Sequence, residues 1–475
     1  MERKEGFRIL LRNGPGQIGL AFLIILLAVS IYVVARYPLD FGTRLWNNPA
    51  NWADNPKSVP PAWTDLLSQD KAMGHKVFET SMGINKLVDR ETPWARMFLL
   101  DYGESGPPTF ISITLSDIEF TSKPPIISLE AVRPDGGTVI LLRHVVRGPR
   151  TNEESPFKRY KSPYRLNISA DPEAILALSH FLSLRYDNAI SPTDLEGNLE
   201  DALFGIPQTG GQLGFTPLKG EYIFIVKAHT NNPEDSIGTL KLVLGGNSYG
   251  VMGTDSLGRD LAVGLLFGFP VALAIGLATA ILSTAIGTFA GIVSGFSAGK
   301  TDTIIQRFAD ILTNIPLLPI LIFLIFILGQ KLWLVVAILV AFGWPGLAIV
   351  VRSMVLQLRS GQLVEATRAL GASKWRIMFR HILFQILPFI LAQMIFFTPS
   401  AILAEAGLSF LGLGDPSIPT WGQILESGFR TGAIYVGYWW WVLPPGLLIV
   451  FTAMTFVLLA LGLEPVVNPR LRRNH

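Results

Sequence analysis

Residues 365–380 read Glu-Ala-Thr-Arg-Ala-Leu-Gly-Ala-Ser-Lys-Trp-Arg-Ile-Met-Phe-Arg, and this polar, basic segment lies between two apolar runs long enough to cross a bilayer. Leu370 followed by Gly371 is typical of a helix end, because glycine readily adopts the left-handed conformation just beyond a C-cap. Ser373 can cap a second helix that begins at Lys374. Segment 353–381 therefore contains a predicted helix–turn–helix. By composition alone, an ordinary basic loop between two spans is an equal alternative.

The composition is too apolar for a single soluble domain. The chain has 475 residues, of which 49% are hydrophobic, and its mean hydropathy is +0.41. It has no cysteine, which excludes a disulfide scaffold, a thiolate metal site and a cysteine nucleophile. The net charge of +3 is unevenly distributed, since residues 37–250 are acidic overall and the rest is basic. We therefore expect an acidic soluble module and basic segments that flank a membrane.

Apolar runs predict six transmembrane helices. The first, at 14–35, is longer than a typical signal-peptide core and lacks a small-x-small cleavage site, which favours an uncleaved anchor. The uncharged run 261–299 would be roughly 58 Å long as a helix, which is too long for one span and short for two. We expect an interfacial helix at 261–269 that leads into one span from Pro270. The other predicted spans are 311–329, 332–351, 382–404 and 434–463.

The distribution of basic residues predicts the orientation. With six spans, both termini and segment 353–381 lie on one side of the membrane, and that side receives most of the basic residues outside the 37–250 module. The positive-inside rule then makes this side cytoplasmic and places residues 37–250 outside. The basic residues that fall on the opposite side are Arg36, Arg259, Lys331 and Arg430.

Residues 37–250 are predicted to form an inserted, β-rich α+β domain, which gives domains at 1–36, 37–250 and 251–475. Asp171 and Pro172 predict the start of a helix that reaches residue 181. Strands are predicted at 126–129, 139–146 and 222–228, the last pairing as a hairpin with 239–244.

No set of residues in the sequence predicts a catalytic, metal or cofactor site. The histidines His75, His144, His180 and His229 are scattered without ligand-like spacing. Residues 295–301 resemble a phosphate-binding loop, but the glycine spacing is wrong and no strand precedes them. We predict no bound cofactor, no metal and no nucleic-acid partner.

Two groups of charged residues near the apolar runs are candidates for a gate or a pore. Arg307 and Asp310 share a helix face, which indicates either a cytoplasmic gate or, as we prefer, an ordinary proline-bent helix start. Glu405 could equally line a solute path or cap an interfacial helix. The small residues and prolines after it, at 405–422, predict a segment that folds back against protein.

Glu365-Ala366-Thr367 followed by Gly371 resembles the EAA loop of ABC-importer permeases. The longer match through 371–377 and 380–383 resembles the C-type subunits of the dipeptide, oligopeptide and nickel permease family. The motif Gly-Thr-Asp-Ser-Leu-Gly-Arg-Asp at 253–260 and the segment 408–422 are also similar to that family. Two residues depart from its pattern: Thr367 stands in place of alanine, and Phe384 in place of proline.

This resemblance implies a type I ABC-importer permease, which is not itself an enzyme because separate subunits hydrolyse ATP. The implied partners are a B-type permease subunit, two ABC ATPases, an extracytoplasmic solute-binding protein and the lipid bilayer of the inner membrane. The residues implied to couple to the ATPase are Glu365, Ala366, Arg368, Gly371, Ala372, Ser373, Lys374 and Arg376. The residues that match the family motif before the second span are Gly253, Thr254, Asp255, Gly258, Arg259 and Asp260.

Peptides are the solute class that the resemblance implies by default, although nickel or oligosaccharide carriers occur among its relatives. The alternative interpretation is a membrane-anchored sensor or assembly factor, with residues 37–250 as a ligand-binding domain. That alternative predicts no association with an ATPase and no solute flux.

Overall fold

The computed structural model describes residues 13–38, 40–67, 73–81, 94–187, 189–208, 214–232 and 234–467. The chain divides into two compact units. One consists of the chain up to Pro49 together with the part from Leu261 onwards, and the other is Ala50–Asp260. The basic residues at 3–12 and 470–473, which contribute to the predicted orientation, lie outside the described residues.

The first helix among the described residues of the unit that contains Leu261 is α1, Gly14–Arg36, which confirms the predicted run. Pro15 stands in its first turn, where a missing N–H costs nothing. A π-helical turn, Gly42–Trp46, follows. A side chain at position 42 would collide with the backbone of Ser417, so glycine is required for this close approach.

The unit Ala50–Asp260 is built from antiparallel strands. One sheet has the order β1-β11-β3-β6, with β7 also paired to β3, and a second has the order β2-β10-β4-β5. Apolar side chains from both sheets form one shared core, as the alternating burial along β4 illustrates. The strands are β1 Lys76–Ser81, β2 Trp94–Tyr102, β3 Ile111–Phe120, β4 Ile126–Val132, β5 Thr138–Val145, β6 Phe157–Arg159, β7 Tyr164–Asn167, β8 Gly205–Pro207, β9 Phe215–Pro217, β10 Gly220–His229 and β11 Ser236–Leu244.

The predicted strands are confirmed as β4, β5, β10 and β11, but the predicted hairpin is wrong. β10 pairs with β2 and β4, whereas β11 pairs with β1 and β3 in the other sheet. The connection between them is held against the end of β3, where the Oδ1 atom of Asp235 accepts hydrogen bonds from the backbone N–H and the hydroxyl of Thr121 at 2.9 and 3.1 Å. The chain therefore crosses from one sheet to the other at this point.

The described part of this unit also contains three α-helices: α2 Pro172–Tyr186, α3 Pro192–Leu195 and α4 Leu199–Leu203. The predicted cap of α2 is confirmed, because Oδ1 of Asp171 accepts a hydrogen bond from the N–H of Glu173 at 2.9 Å. The helix continues past residue 181 because its apolar face packs into the shared core. Buried Arg133 ties this layer to the sheet, since its guanidinium donates to the hydroxyl of Tyr186 on α2 at 3.2 Å and to the carbonyl of Ala202 on α4 at 3.4 Å.

The described chain from Leu261 to residue 467 is helical. Five helices of the described chain are long and apolar enough to cross a membrane. The elements after the β-rich unit are α5 Leu261–Ser297, α6 Gly299–Asn314, α7 Leu317–Leu328, α8 Leu332–Leu358, α9 Gln362–Ala369, α10 Lys374–Phe410, α11 Trp421–Arg430, α12 Ala433–Val436 and α13 Trp439–Val467.

The predicted interfacial helix at 261–269 is wrong, because α5 is one continuous helix of 37 residues with Pro270 inside it. Glycines on α5 let bulky neighbours pack closely along its length. The ring of Trp46 lies against Gly264, and the ring of Trp421 lies against Gly268. These contacts hold the turns of α5 that precede the proline, so no separate first segment forms.

The predicted span at 311–329 corresponds to a bent pair of helices in the structure. The helix that contains residue 311 ends at Asn314, Pro316 stands at the break, and α7 begins at Leu317 with its axis turned by 85°. Pro316 lacks a backbone N–H and disfavours a helical residue before it, which accounts for the break. Counted as one span, this bent pair would make a sixth candidate.

Candidate functional site

The turn between α9 and α10 has the geometry predicted from Gly371 and Ser373. Gly371 has φ +80°, its N–H donates to the carbonyl of Arg368, and the N–H of Ala372 donates to the carbonyl of Thr367. These two bonds form a Schellman motif, which satisfies the last carbonyls of α9. The hydroxyl of Ser373 then accepts a bond from the N–H of Arg376 at 3.4 Å and caps α10. We call residues 362–376 the elbow.

One face of the elbow is anchored in a buried apolar cluster. Val364 is 1% exposed and packs in a cluster with Ile377, Met378 and Ile382 of α10. Val355 of α8 belongs to the same cluster. The elbow is thereby joined to the helices on both sides of it and is held at a fixed angle.

The opposite face of the elbow is open. Leu370 is 88% exposed at its tip, and Trp375 is 59% exposed. Trp375 stacks on Phe379, with ring centroids 5.3 Å apart, and so extends the apolar surface along α10. Leu370 and Trp375 were not among the predicted coupling residues. The predicted coupling residues with exposed side chains are Glu365, Ala366, Arg368, Ser373, Lys374 and Arg376.

Neither departure from the family pattern disrupts a helix. The hydroxyl of Thr367 donates to the carbonyl of Leu363 within its own helix at 2.6 Å. Phe384 is exposed on α10, and the helix continues through Pro388 and Pro399. A π-helical segment, Ile377–Ile382, precedes Phe384 and interrupts the regular α-helical hydrogen bonding of α10 there.

A network of polar side chains behind the elbow was not predicted from the sequence. The guanidinium of Arg352 on α8 donates from Nε and Nη2 to the two carboxylate oxygens of Asp302 on α6, at 2.6 Å each. Ser294 on α5 donates to the same carboxylate, and Gln306 donates to Ser294 at 3.0 Å. The network joins α5, α6 and α8, and α8 is the helix that precedes the elbow. Asp302 and Arg352 each stand just outside an apolar run, and this position was the available signal in the sequence. Because the two residues are 50 positions apart, the sequence did not indicate that they pair.

Arg307 and Asp310, the predicted gate pair, do not join this network. Both side chains are exposed, and no ion pair between them occurs in the described part of α6. The backbone carbonyl of Asp310 accepts a hydrogen bond from the side chain of Asn314 at 2.7 Å. Arg307 and Asp310 lie in the second half of α6, which ends at Asn314, and not at a helix start. Their role in a gate stays a prediction.

Glu405 is buried inside α10, where it is 4% exposed and accepts a hydrogen bond from the hydroxyl of Ser409 at 2.6 Å. It therefore does not cap a separate interfacial helix. The segment after α10 folds back against it, because Gly422 at the start of α11 lies directly on the backbone of Ala406. Thr420 caps α11 through the N–H of Gln423.

The 253–260 motif forms a tight turn at the end of the β-rich unit. The carboxylate of Asp255 is 1% exposed and accepts bonds from the N–H groups of Leu257 and Arg259, each at 2.9 Å, as well as from the guanidinium of Arg259. Gly258 has φ +79° and lies against the carbonyls of Trp52 and Asn55. Asp255 thus stabilises its own turn, and the side chain of Thr254 accepts a bond from the N–H of Val59 at 3.2 Å.

A cavity of about 750 Å³ opens beside the break between α6 and α7. Phe342 of α8 and Phe389 and Phe397 of α10 line it, with Thr313 and Gln393 as polar groups. The sequence did not indicate this cavity, because its walls come from four separate helices. Within the described ranges, no three histidine or carboxylate side chains come close enough to hold a metal ion.

Comparison with known proteins identifies the family. Residues 287–473 match the family described as "Binding-protein-dependent transport system inner membrane component". The oligopeptide transport system permease protein OppC of Bacillus subtilis (strain 168) is 37% identical over 222 residues, which are 46% of this chain and 72% of that protein. The dipeptide transport system permease protein DppC of the same strain is 35% identical over 46% of this chain and 69% of that protein.

A solved structure of the inward-facing MetNI methionine ABC transporter matches 44% of this chain and 95% of its own chain at 20% identity, with a TM-score of 0.35, which is too low to establish structural detail. The two permease relatives are each covered over more than two thirds of their length, and the apolar helices are those of a multi-pass membrane protein. The chain therefore belongs to the family of inner-membrane permease components of binding-protein-dependent transport systems.

Proposed function

We propose that this chain is a permease subunit of an ATP-driven importer for peptides. It forms half of the solute path with a B-type permease subunit, couples to two ABC ATPase subunits and receives solute from an extracytoplasmic binding protein. The names of the dipeptide and oligopeptide permease relatives support this assignment. The bent pair of α6 and α7 counts as one span in this proposal, which gives six transmembrane helices with the β-rich unit inserted between the first two.

The observation that carries the proposal is that one face of the elbow is exposed while the opposite face is held in a buried apolar cluster. A surface that docks a partner and transmits its movement must be accessible on one side and rigidly attached on the other. Leu370 and Trp375 supply an apolar contact surface flanked by charges, and Val364 fixes the elbow to the helices behind it. Movement of a docked ATPase then turns α10, which also lines the 750 Å³ cavity.

The positive-inside rule supports the orientation. The N- and C-termini and the elbow lie in the cytoplasm, and the β-rich unit lies outside. The cavity beside Phe389 is the part of the path that this subunit lines. Glu405 contributes a polar group within α10, and Arg307 and Asp310 lie on an exposed helix face where they can contact partner subunits.

Leu370→Asp tests the docking surface. The side chain is almost fully exposed, so the substitution leaves folding and membrane level unchanged, but it places a charge in the centre of an apolar contact. We expect recovery of the ATPase with the tagged permease to fall by about tenfold, in line with a loss of roughly 1.4 kcal/mol of binding free energy.

The matched control for that experiment is Leu184→Asp. Leu184 is also strongly exposed, but it lies on α2 of the β-rich unit. It should leave the recovery of the ATPase unchanged. Full recovery of the ATPase with Leu370→Asp would argue against the elbow as the docking surface, and absence of any ATPase from the wild-type complex would favour a sensor or assembly factor.

A further inference from the structure

The β-rich unit contains a second cavity, of about 550 Å³, that the transport proposal does not use. Its wall comes from the first turn of α2, the connection between α3 and α4, and the loops beside β3 and β7. Pro172, Ile175 and Pro192 give it an apolar side. Thr109, Ser169, Glu196 and Glu200 give it a polar side.

Glu200 is the distinctive residue of this cavity. It is 7% exposed, and its Oε1 atom accepts no hydrogen bond from any described residue. The neighbouring N–H of Ile111 donates instead to the hydroxyl of Ser169, at 2.8 Å. A buried carboxyl oxygen without a donor costs free energy, so the negative charge of this carboxyl beside the cavity is poorly compensated within the described chain.

The charged residues that line the cavity indicate which kind of ligand would bind there. Glu196 is exposed at the same cavity, and none of the described residues that line it is basic. Burial raises the pKa of the Glu200 carboxyl above its ordinary value, and the Ser169 hydroxyl opposes this rise. An incoming cation would stabilise the ionised carboxylate, whereas an anion would meet two like charges.

We propose that this cavity binds a small organic cation, with the ammonium group on the Glu200 carboxylate and the hydrocarbon part against Ile175 and Pro192. The Glu196 carboxylate attracts the cation to the cavity. The apolar wall favours an amine with an aromatic or aliphatic body over an inorganic cation, because the hydrocarbon then loses contact with water.

Three probes of one shape test the proposal on the full-length chain in lipid nanodiscs. Isothermal titration calorimetry should show saturable binding of benzylammonium at one site per chain. Benzyl alcohol should bind at least about tenfold more weakly, since a hydrogen bond between charged groups is replaced by a neutral one, and benzoate should not bind. Equal binding of benzyl alcohol or benzoate would overturn the proposal, and so would a failure of benzylammonium to bind.

Glu200→Gln keeps the size of the side chain and removes its charge, and it should weaken benzylammonium binding at least about tenfold. Glu196→Gln, at an exposed position where folding is not at risk, should weaken it about threefold, as expected for a charge that remains solvated. Glu221→Gln, an equal charge change at an exposed position of β10 outside the cavity, should leave binding unchanged. Unchanged binding in both cavity variants would contradict the proposal. These measurements involve no transport, so their failure would leave the permease assignment intact.

Discussion

Gly371→Val is expected to lower ATP-driven uptake about tenfold while the permease remains folded in the membrane. A residue with a side chain in the left-handed conformation costs roughly 1–2 kcal/mol, and a β-branched residue costs more. A Cβ at this position would meet no neighbouring atom within 4 Å, so the whole effect comes from the backbone at φ +80°. The turn relieves its strain by changing the angle between α9 and α10. The measurement is peptide uptake by proteoliposomes that contain the complete transporter.

Gly437 provides a control with the same backbone strain at another place. It has φ +83°, and a Cβ there would also meet no atom within 4 Å. Gly437 lies between α12 and α13, away from the elbow in the chain. Gly437→Val should therefore keep uptake within about twofold of wild type, since it carries a similar local cost without moving the elbow. An equal loss in both variants would show that uptake responds to strain in general.

Separation of Asp302 from Arg352 is expected to be the most destabilising change in the helical unit. The pair is bidentate with both distances at 2.6 Å, and its side chains are 15% and 30% exposed. Removal of one partner from a fully buried pair costs roughly 3–5 kcal/mol, and partial exposure reduces this to about 1–3 kcal/mol. One kcal/mol corresponds to roughly 2–4 °C for a unit of this size. Asp302→Asn or Arg352→Gln should therefore lower the unfolding temperature by about 2–12 °C in scanning fluorimetry.

The charge-reversed double variant Asp302→Arg/Arg352→Asp should recover part of that loss, because it restores attraction between α6 and α8. The pair Glu426–Arg430 serves as the comparison. It lies within α11 at 3.1 Å, and its arginine is 74% exposed. Neutralising Glu426 should change the unfolding temperature by less than about 2 °C. A similar small shift for Asp302→Asn would show that the buried network contributes no more than a surface pair.

The elbow could be predicted from the sequence because its signals are local. Gly371 and Ser373 specify a turn and a cap through bonds that span only a few residues. The same holds for Asp171, whose cap begins α2 as expected. Each of these residues determines its own backbone geometry, so no knowledge of distant neighbours is needed.

The errors arose where a distant neighbour decides the structure. The sequence at 222–244 has two strands and a turn of hairpin length, but each strand finds its partners in a different sheet. Pro270 would end an isolated helix, whereas the turns of α5 that precede it are held by the rings of Trp46 and Trp421. Tertiary packing also decides the ion pair between Asp302 and Arg352 and leaves one oxygen of Glu200 without a partner. Hydrophobic periodicity in the sequence indicates helices and strands, but it does not indicate such contacts.

The central claim is that the elbow faces the cytoplasm and the β-rich unit faces outwards. The chain has no cysteine, so a single introduced cysteine is a unique label site. A membrane-impermeant maleimide applied to intact cells should label Leu184→Cys on α2 and leave Leu370→Cys unlabelled, and inverted membrane vesicles should reverse this pattern. Labelling of Leu370→Cys in intact cells would contradict the account, because an elbow on the outside cannot meet an ATPase.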